Sequence, residues 1–306
     1  MKKNSGVVLI FVLAFTAAIS LLAMFLHGKS KDYINTFMDV REKQDAVNIA
    51  EAGVEIGKAL LDKSRKTLGA AGGESFTERE YILPGDIILF INIEDENSKI
   101  NPSMIFNREK NETNTLLMET FKNLFTVLGW PDSLPDSLLD WIDEDDIPRT
   151  AGAESFHYKT DGFAYVPPNR NLYSAEEMLL VKNFTVEAVY GDVEKDIPGL
   201  INFITSFSDG KINVNTCPPM VLSALGFPAA DVERITAERA ERQIEERFLT
   251  ETNKEVYTKN KSIIVFKSGY FIIRASAITD RGIEKTASAY VKKSDKTAET
   301  VRMEAR

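Results

Sequence analysis

The densest set of hard ligands in the chain is the run Asp140-Trp141-Ile142-Asp143-Glu144-Asp145-Asp146, followed by Pro148 and then by Gly152-Ala153-Glu154. Carboxylates packed this closely repel one another. They are tolerated either because water solvates them or because a divalent cation neutralises them. Trp141, Ile142 and Ile147 thread apolar residues through the run, which argues against a free acidic tail and favours calcium over bare solvation. The spacing is not that of an EF-hand, because no glycine stands at the sixth loop position and the bidentate Glu is misplaced.

Catalytic chemistry finds little support. The chain carries no H-E-x-x-H, G-x-S-x-G, Walker or Rossmann signature. With one Cys and two His, a zinc site of soft or imidazole ligands is all but excluded, while 46 Asp and Glu leave oxygen-ligand sites open. His157, in Ser155-Phe156-His157-Tyr158, reads as a surface or packing residue, and Cys217, beside Pro218 and Pro219, as a small apolar residue at a helix start. A net charge of -9 works against phosphate binding, so nucleic acid is not an expected partner.

The elements that must position the acidic run begin at a membrane. Val7 to Leu26 carries no charged residue and matches the roughly 20 apolar residues that cross a bilayer. Lys2 and Lys3 precede it, so the N-terminus stays cytoplasmic and the body is periplasmic. The run ends in Met24-Phe25-Leu26-His27, bulky where a secretory cleavage site needs small residues. A short basic leader, Gly6 and then an apolar helix from Val7 resemble the type IV prepilin leader, which implies cleavage between Gly6 and Val7. The glutamate that most pilins carry at the fifth mature position is here Phe11. A lone carboxylate in lipid costs at least about 2.5 kcal/mol, so its absence suits a subunit with nothing stacked above it.

Beyond Gly28 the chain stays helix-compatible to about Leu68, with Val40, Val47, Val54 and Leu61 recurring every seven residues and Ala50 and Gly57 beside them. That stripe reads as a face packed on the protein's own sheet. Gly69 to Gly73 punctuates its end. Strand patterns cover Asp86 to Ile93, Ile263 to Phe266, Tyr270 to Ile278 and Ile283 to Val291, the last two joined by Thr279-Asp280-Arg281-Gly282. Between the first strand and the others the spacing is mostly helical: 116–128, 134–142, 175–181, 220–225 and 230–248. The fold class is therefore α+β: a pilin-like long N-terminal helix on a small antiparallel sheet, interrupted by a large inserted α-helical domain.

That insert echoes itself. Lys99-Ile100-Asn101-Pro102 precedes a helix ending at Leu128-Gly129-Trp130-Pro131, and Lys211-Ile212-Asn213 one ending at Leu225-Gly226-Phe227-Pro228. The second unit resembles a helix-hairpin-helix or SAM-like fold, with Asn215 and Thr216 expected to cap its first helix. Its hairpin lacks the second glycine of DNA-binding versions, and Pro228 removes a donor. The expected segments are leader 1–6, transmembrane helix 7–26, pilin-like helix and first strands 27–95, helical insert 96–257, and closing strands with a C-terminal tail 258–306.

Taken together, the Gly6 leader without a fifth-position Glu, DENSKINPS (95–103), LLDWIDEDDIP (138–148), GAESFHY (152–158), YVPPNRNLYSAEEMLLV (165–181) and INVNT (212–216) resemble the type II secretion minor pseudopilin K family. The resemblance implies a subunit, not an enzyme, that forms the tip of the pseudopilus and initiates its assembly for export across the outer membrane. It implies companion minor pseudopilins of the I and J types, the major pseudopilin, prepilin peptidase with N-terminal methylation, and inner-membrane lipid as partners. It also implies bound Ca2+, with Asp143, Asp145, Asp146 and Glu154, together with Asp140, as candidate ligands. The alternative is a minor pilin of a type IV pilus or DNA-uptake system.

Overall fold

In the computed structural model, residues 5–63, 78–110, 112–131, 133–192, 194, 197–294 and 297–305 are described. Lys2, Lys3 and the glycine run 69–73 lie outside them. Helix α1 (Ser5–Lys63) is continuous over 59 residues, a rod of roughly 90 Å at 1.5 Å per residue. It contains no proline, and its apolar first third is long and apolar enough to cross a membrane while burying nothing against the rest of the protein.

Its other end lies on a five-stranded antiparallel sheet: β1 (Arg79–Leu83), β2 (Ile87–Asp95), β3 (Tyr270–Ile278), β4 (Glu284–Lys293) and β5 (Ala298–Ala305), hydrogen-bonded in that order. The period of two sends Leu89, Ile91 and Ile93 of β2, Phe271, Ile273, Ala275 and Ala277 of β3, and Ala287, Ala289 and Val291 of β4 into one core with Ala50, Val54 and Leu61 of α1. The helix comes very close. A Cβ on Gly57 would sit 2.5 Å from Ile273 Cγ2, and one on Gly53 2.7 Å from Ala275 Cβ. The buried stripe is thus Ala46, Ala50, Gly53, Val54, Gly57 and Leu61. The expected heptad is corrected at its start: Val40 is exposed, because the sheet reaches down only to about Glu42, where Thr279 and Arg281 of the β3–β4 turn bond its carboxylate.

That contact also orients the fold. The β3–β4 turn faces the apolar end of α1, with Arg281 also holding Asp39 at 2.8 Å. At the opposite pole Lys293 donates to the Leu61 carbonyl and the Ala298 N–H to Asp62 at 2.8 Å. Strand β2 ends and β3 begins at this second pole, since Asp95 pairs with Phe271 and Ile88 with Ile278. The helical region between them therefore emerges at the end of the sheet remote from the apolar helix.

It has its own core, built by α2 (Thr115–Leu128), α3 (Ser133–Ile142), α4 (Ser155–Thr160), α5 (Val186–Tyr190), α6 (Pro219–Ala224), α7 (Ala229–Glu241) and α8 (Glu246–Asn260). The internal echo is structural. Helix α2 ends at Gly129 (φ 73°) with the Trp130 N–H on the Phe125 carbonyl, α6 at Gly226 (φ 96°) with the Phe227 N–H on the Leu222 carbonyl, and the two helices pack together. Both K-I-N strings lie in short parallel pairings, Ile100 with Ile204 and Ile212–Asn213 with Ile264–Val265.

Four local expectations are corrected. Segment 263–266 pairs inside the helical region and not in the sheet. The 230–248 pattern is two helices, because Arg242 turns extended and Ile244 is pinned by the Asn215 side chain. Asn215 and Thr216 therefore do not cap α6; Thr216 bonds Asp95. The C-terminal tail is strand β5, with alternating burial.

A buried polar knot joins the two cores. Asn97 accepts the N–H groups of Gly269 (2.9 Å) and Tyr270 (3.1 Å) on Oδ1, while its amide donates to Asp209 Oδ1 and the Lys211 carbonyl, both at 2.9 Å. Asp95 accepts from the Asn97 N–H and the hydroxyls of Thr216 and Ser268. Burial pushes its carboxyl up to about 6. Replacing Asn97 with Ala orphans several buried groups at once, so the full chain in detergent should lose about 2–4 kcal/mol, read from its thermal transition. Asn92→Ala, whose amide hydrogen-bonds Glu94 at 3.3 Å on the part-buried sheet, should change little; equal losses in the two variants would remove the junction's special role.

Candidate metal centre

Asp140 occupies the last turn of α3, and Asp143 follows three residues on, still on the helical ladder through its N–H to the Leu139 carbonyl. The spacing puts both carboxylates on one face. The C-terminal end of a helix carries partial negative charge, so this is an unfavourable place for two anions unless a cation compensates them. The chain then loops out through 144–153 and returns with Glu154 in extended backbone just ahead of α4. One oxygen each from Asp140, Asp143 and Glu154 lies within 4.8 Å of the others, and all three residues are buried.

Two residues shape the loop. A Cβ on Gly152 would fall 1.8 Å from Asp140 Oδ2, so only glycine lets the loop close over that carboxylate. Arg149 bridges the pair: its Nη1 donates to Asp140 Oδ1 and to Asp143 Oδ2, and its backbone N–H to Asp140 Oδ2 at 3.1 Å. Neither residue was among the expected ligands. The signal for Arg149 was present, as the one basic residue between Asp140 and Glu154.

Of the five expected ligands the fold gathers Asp140, Asp143 and Glu154. Asp145 and Asp146 stand exposed at the rim, Asp145 accepting the Ile147 N–H at 2.9 Å and Asp146 the Ser155 N–H at 3.3 Å. His157 is half-buried and its Nδ1 accepts the Glu154 N–H at 3.3 Å, a packing role as expected. Cys217 is fully buried, its thiol pushed up to about 12 by burial. An aromatic wall backs the site: Trp141 lies 5.7 Å from Tyr158 and 6.1 Å from Tyr165, centroid to centroid.

Burial, and then the field of Asp140, Asp143, Asp146 and Asp145, pushes the Glu154 carboxyl up to about 8; burial and neighbouring carboxylates push Asp143 to about 6 and raise Asp140 despite Arg149. Both Glu154 oxygens and Asp143 Oδ1 are buried without a hydrogen-bond partner. With Glu154 ionised, as a bound cation would require, three carboxylates and one guanidinium leave two uncompensated negative charges. The donors are all hard oxygens, and ligands across a calcium ion stand about 5 Å apart, twice the usual Ca–O distance. The residues present fit a single divalent cation of that kind. Asp140, Asp143 and Glu154 would hold it, and it would neutralise charge and cross-link the loop.

Fold and site together define a class: a pilin-like subunit with an N-terminal helix able to cross a membrane, a helical domain inserted at the far pole of its sheet, and an acidic centre in that domain. The sequence profile of the type II secretion system (T2SS), protein K family, first domain, matches residues 98–191, which include the whole acidic centre. Type II secretion system protein K of Pseudomonas aeruginosa is 25% identical over an alignment covering 73% of this chain and 68% of its own length. A chain in the crystal structure of the GspK-GspI-GspJ complex from the enterotoxigenic Escherichia coli type 2 secretion system has the same fold, with a TM-score of 0.69 over 87% of this chain and 97% of that one, at 17% identity. The resemblance to the type II secretion protein K family that the sequence strings carry is thus matched by a family profile over residues 98–191 and by a curated relative, and the fold is that of a chain in the GspK-GspI-GspJ complex.

The centre dictates a pH dependence. Because the folded Glu154 holds its proton up to about 8, against an ordinary 4.5, the folded state binds more protons than the unfolded between those values. Stability of the metal-free chain should therefore fall as pH rises through that window. Glu154→Gln should flatten the slope and raise the melting temperature in chelator at pH 8. A steeper slope in the variant, measured by calorimetry from pH 5 to 8.5, would contradict the buried, unpaired state of Glu154.

Proposed function

We propose that this chain works as the K-type minor pseudopilin of a type II secretion system, a structural subunit rather than an enzyme. In this reading it starts the assembly of the pseudopilus that drives proteins across the outer membrane. The observation that carries the proposal is one chain combining a pilin-like helix and sheet with a protein K domain at residues 98–191. Because the helical domain stands at the pole remote from the apolar helix, a further subunit added above would collide with it. That supports a place at the filament tip. The relative from Escherichia coli is named for a complex with GspI and GspJ, and the same kinds of companion are proposed here, with the major pseudopilin below them.

In the same reading the apolar part of α1 sits in the inner membrane with Lys2 and Lys3 on the cytoplasmic side, prepilin peptidase cuts after Gly6, and the new N-terminus at Val7 is methylated. Asp140, Asp143 and Glu154 bind Ca2+. A minor pilin of a type IV pilus or DNA-uptake system has the same leader and helix, and the protein K match favours secretion over it.

Three measurements test this. Intact mass of the protein from membranes should begin at Val7, and Gly6→Val should retain the leader; wild type still carrying Met1, or cut near His27, would sink the pseudopilin reading. Co-expressed I- and J-type pseudopilins should co-purify with the full chain, and their failure to do so would remove the tip role. Calcium at a hundredfold excess over its Kd should add about 2.7 kcal/mol to stability, more than magnesium, which needs tighter octahedral geometry. No shift beyond matched ionic strength would exclude the metal but leave the filament role standing.

A further inference from the structure

Arg149 holds the position between Asp140 and Asp143 that a counter-ion needs, yet it leaves the third carboxylate uncompensated. Its guanidinium nitrogen serves both aspartates at once. Glu154, only 1% exposed, aims two unpartnered oxygens into the same space. The nearby cations are engaged elsewhere: Arg108 with Glu144 at 3.5 Å and the carbonyls of Ile142 and Asn169, and Lys122 with Asp136 at 2.8 Å.

The side chain is also free to leave. It is 26% exposed while its partners are nearly sealed, it rests over the Phe106 ring at 5.5 Å, and clefts open beside it. One is lined by Glu112, Glu144 and Asp145 together with Arg108, the other by Asp136 together with Lys122, so a displaced guanidinium would meet carboxylates in the first beyond the one that Arg108 holds. Its backbone N–H stays bonded to Asp140 whichever way the side chain turns, which keeps the loop tethered.

We propose that Arg149 is a built-in surrogate cation, which holds the 143–154 loop folded while the centre is metal-free and is displaced from Asp140 and Asp143 when a divalent cation binds. The inference rests on the calcium reading of the centre. Its consequence is a compromise: the loop is ordered before metal arrives, and the metal binds more weakly than three buried carboxylates alone would hold it, because it must compete with an internal ligand.

The test uses full-length protein in detergent, stripped with chelator, with calcium Kd followed by titration calorimetry and by the fluorescence of Trp141 at the end of α3. Arg149→Met, which keeps the length and removes the charge, should bind calcium at least about tenfold more tightly. Its melting temperature should fall below wild type in chelator and match it in saturating calcium. Arg149→Lys should stay close to wild type in both. If Arg149→Met is unfolded in chelator, recovery of the fold on adding calcium supports the proposal, and failure to recover overturns it. Wild type that binds calcium beside an Arg149→Met variant that binds it equally or more weakly overturns the surrogate role alone. Absence of binding in both overturns the calcium centre itself.

Discussion

Everything in this molecule depends on how two neighbouring strands of one sheet are allowed to be joined by a whole domain. Strands β2 and β3 pair along their length like the arms of a hairpin, yet the turn between them is replaced by the chain from Glu96 to Gly269. Bringing such distant segments together costs entropy, though slowly with length, and the helical region offsets that cost with its own core. What remains is a question of aim: two cores connected by two strands can swivel. The Asn97 side chain removes that freedom by holding the returning backbone at Gly269 and Tyr270 with one oxygen and the helical domain at Asp209 and Lys211 with its amide. An amide does this well because it donates and accepts in one plane.

Directionality follows from the same knot. The sheet is a plain antiparallel meander, and its membrane-side end is fixed by Arg281 and Thr279 against Glu42. With β2 leaving at the other pole, the insert has no choice but to sit at the far end of the rod. The glycines and alanines on α1 and on strands β3 and β4 let the helix approach the sheet closely enough to act with it as one body. A domain carried rigidly at the end of a long helix is what a capping subunit requires, and fold and proposed role are connected through this geometry rather than through any reactive group.

Periodicity made part of this legible beforehand. Tyr270–Ile278 shows in the sequence to the residue because it is rich in β-branched and aromatic residues and Thr279 to Gly282 ends it. The helices at 116–128 and 134–142 stand out through their apolar spacing and the Gly-aromatic-Pro stop. The features missed were those set by tertiary partners. Strand β5, AETVRMEA, is polar on both sides of a short alternation and exists because β4 offers an edge. Asn215 looks like a helix cap by local rule, but Ile244 and Phe266 claim its side chain. At the acidic centre, residue type pointed to Asp140, Asp143 and Glu154, whereas the exclusion of Asp145 and Asp146 depends on which way the loop turns after α3, and that is fixed by Arg149 and Gly152 through space.

The centre also answers a stability problem that composition poses. From Asp143 to Ser174 the chain contains only one short helix, α4, and a long irregular segment is ordered only if specific interactions fix it. A disulfide is unavailable, since Cys217 is the only cysteine and is buried in the helical core. Polar clamps take its place: Asn169 donates to the Asp145 carbonyl at 3.1 Å, Arg108 to the Asn169 carbonyl at 3.2 Å, and Arg149 ties the loop to α3. Hydrogen bonds of this kind contribute about 1 kcal/mol each, more when charged, and they leave Glu154 buried and unpaired. A cation shared by α3 and the start of α4 would close this loop much as a disulfide closes a loop in small secreted domains. It would also turn the most costly residue of the segment into a ligand.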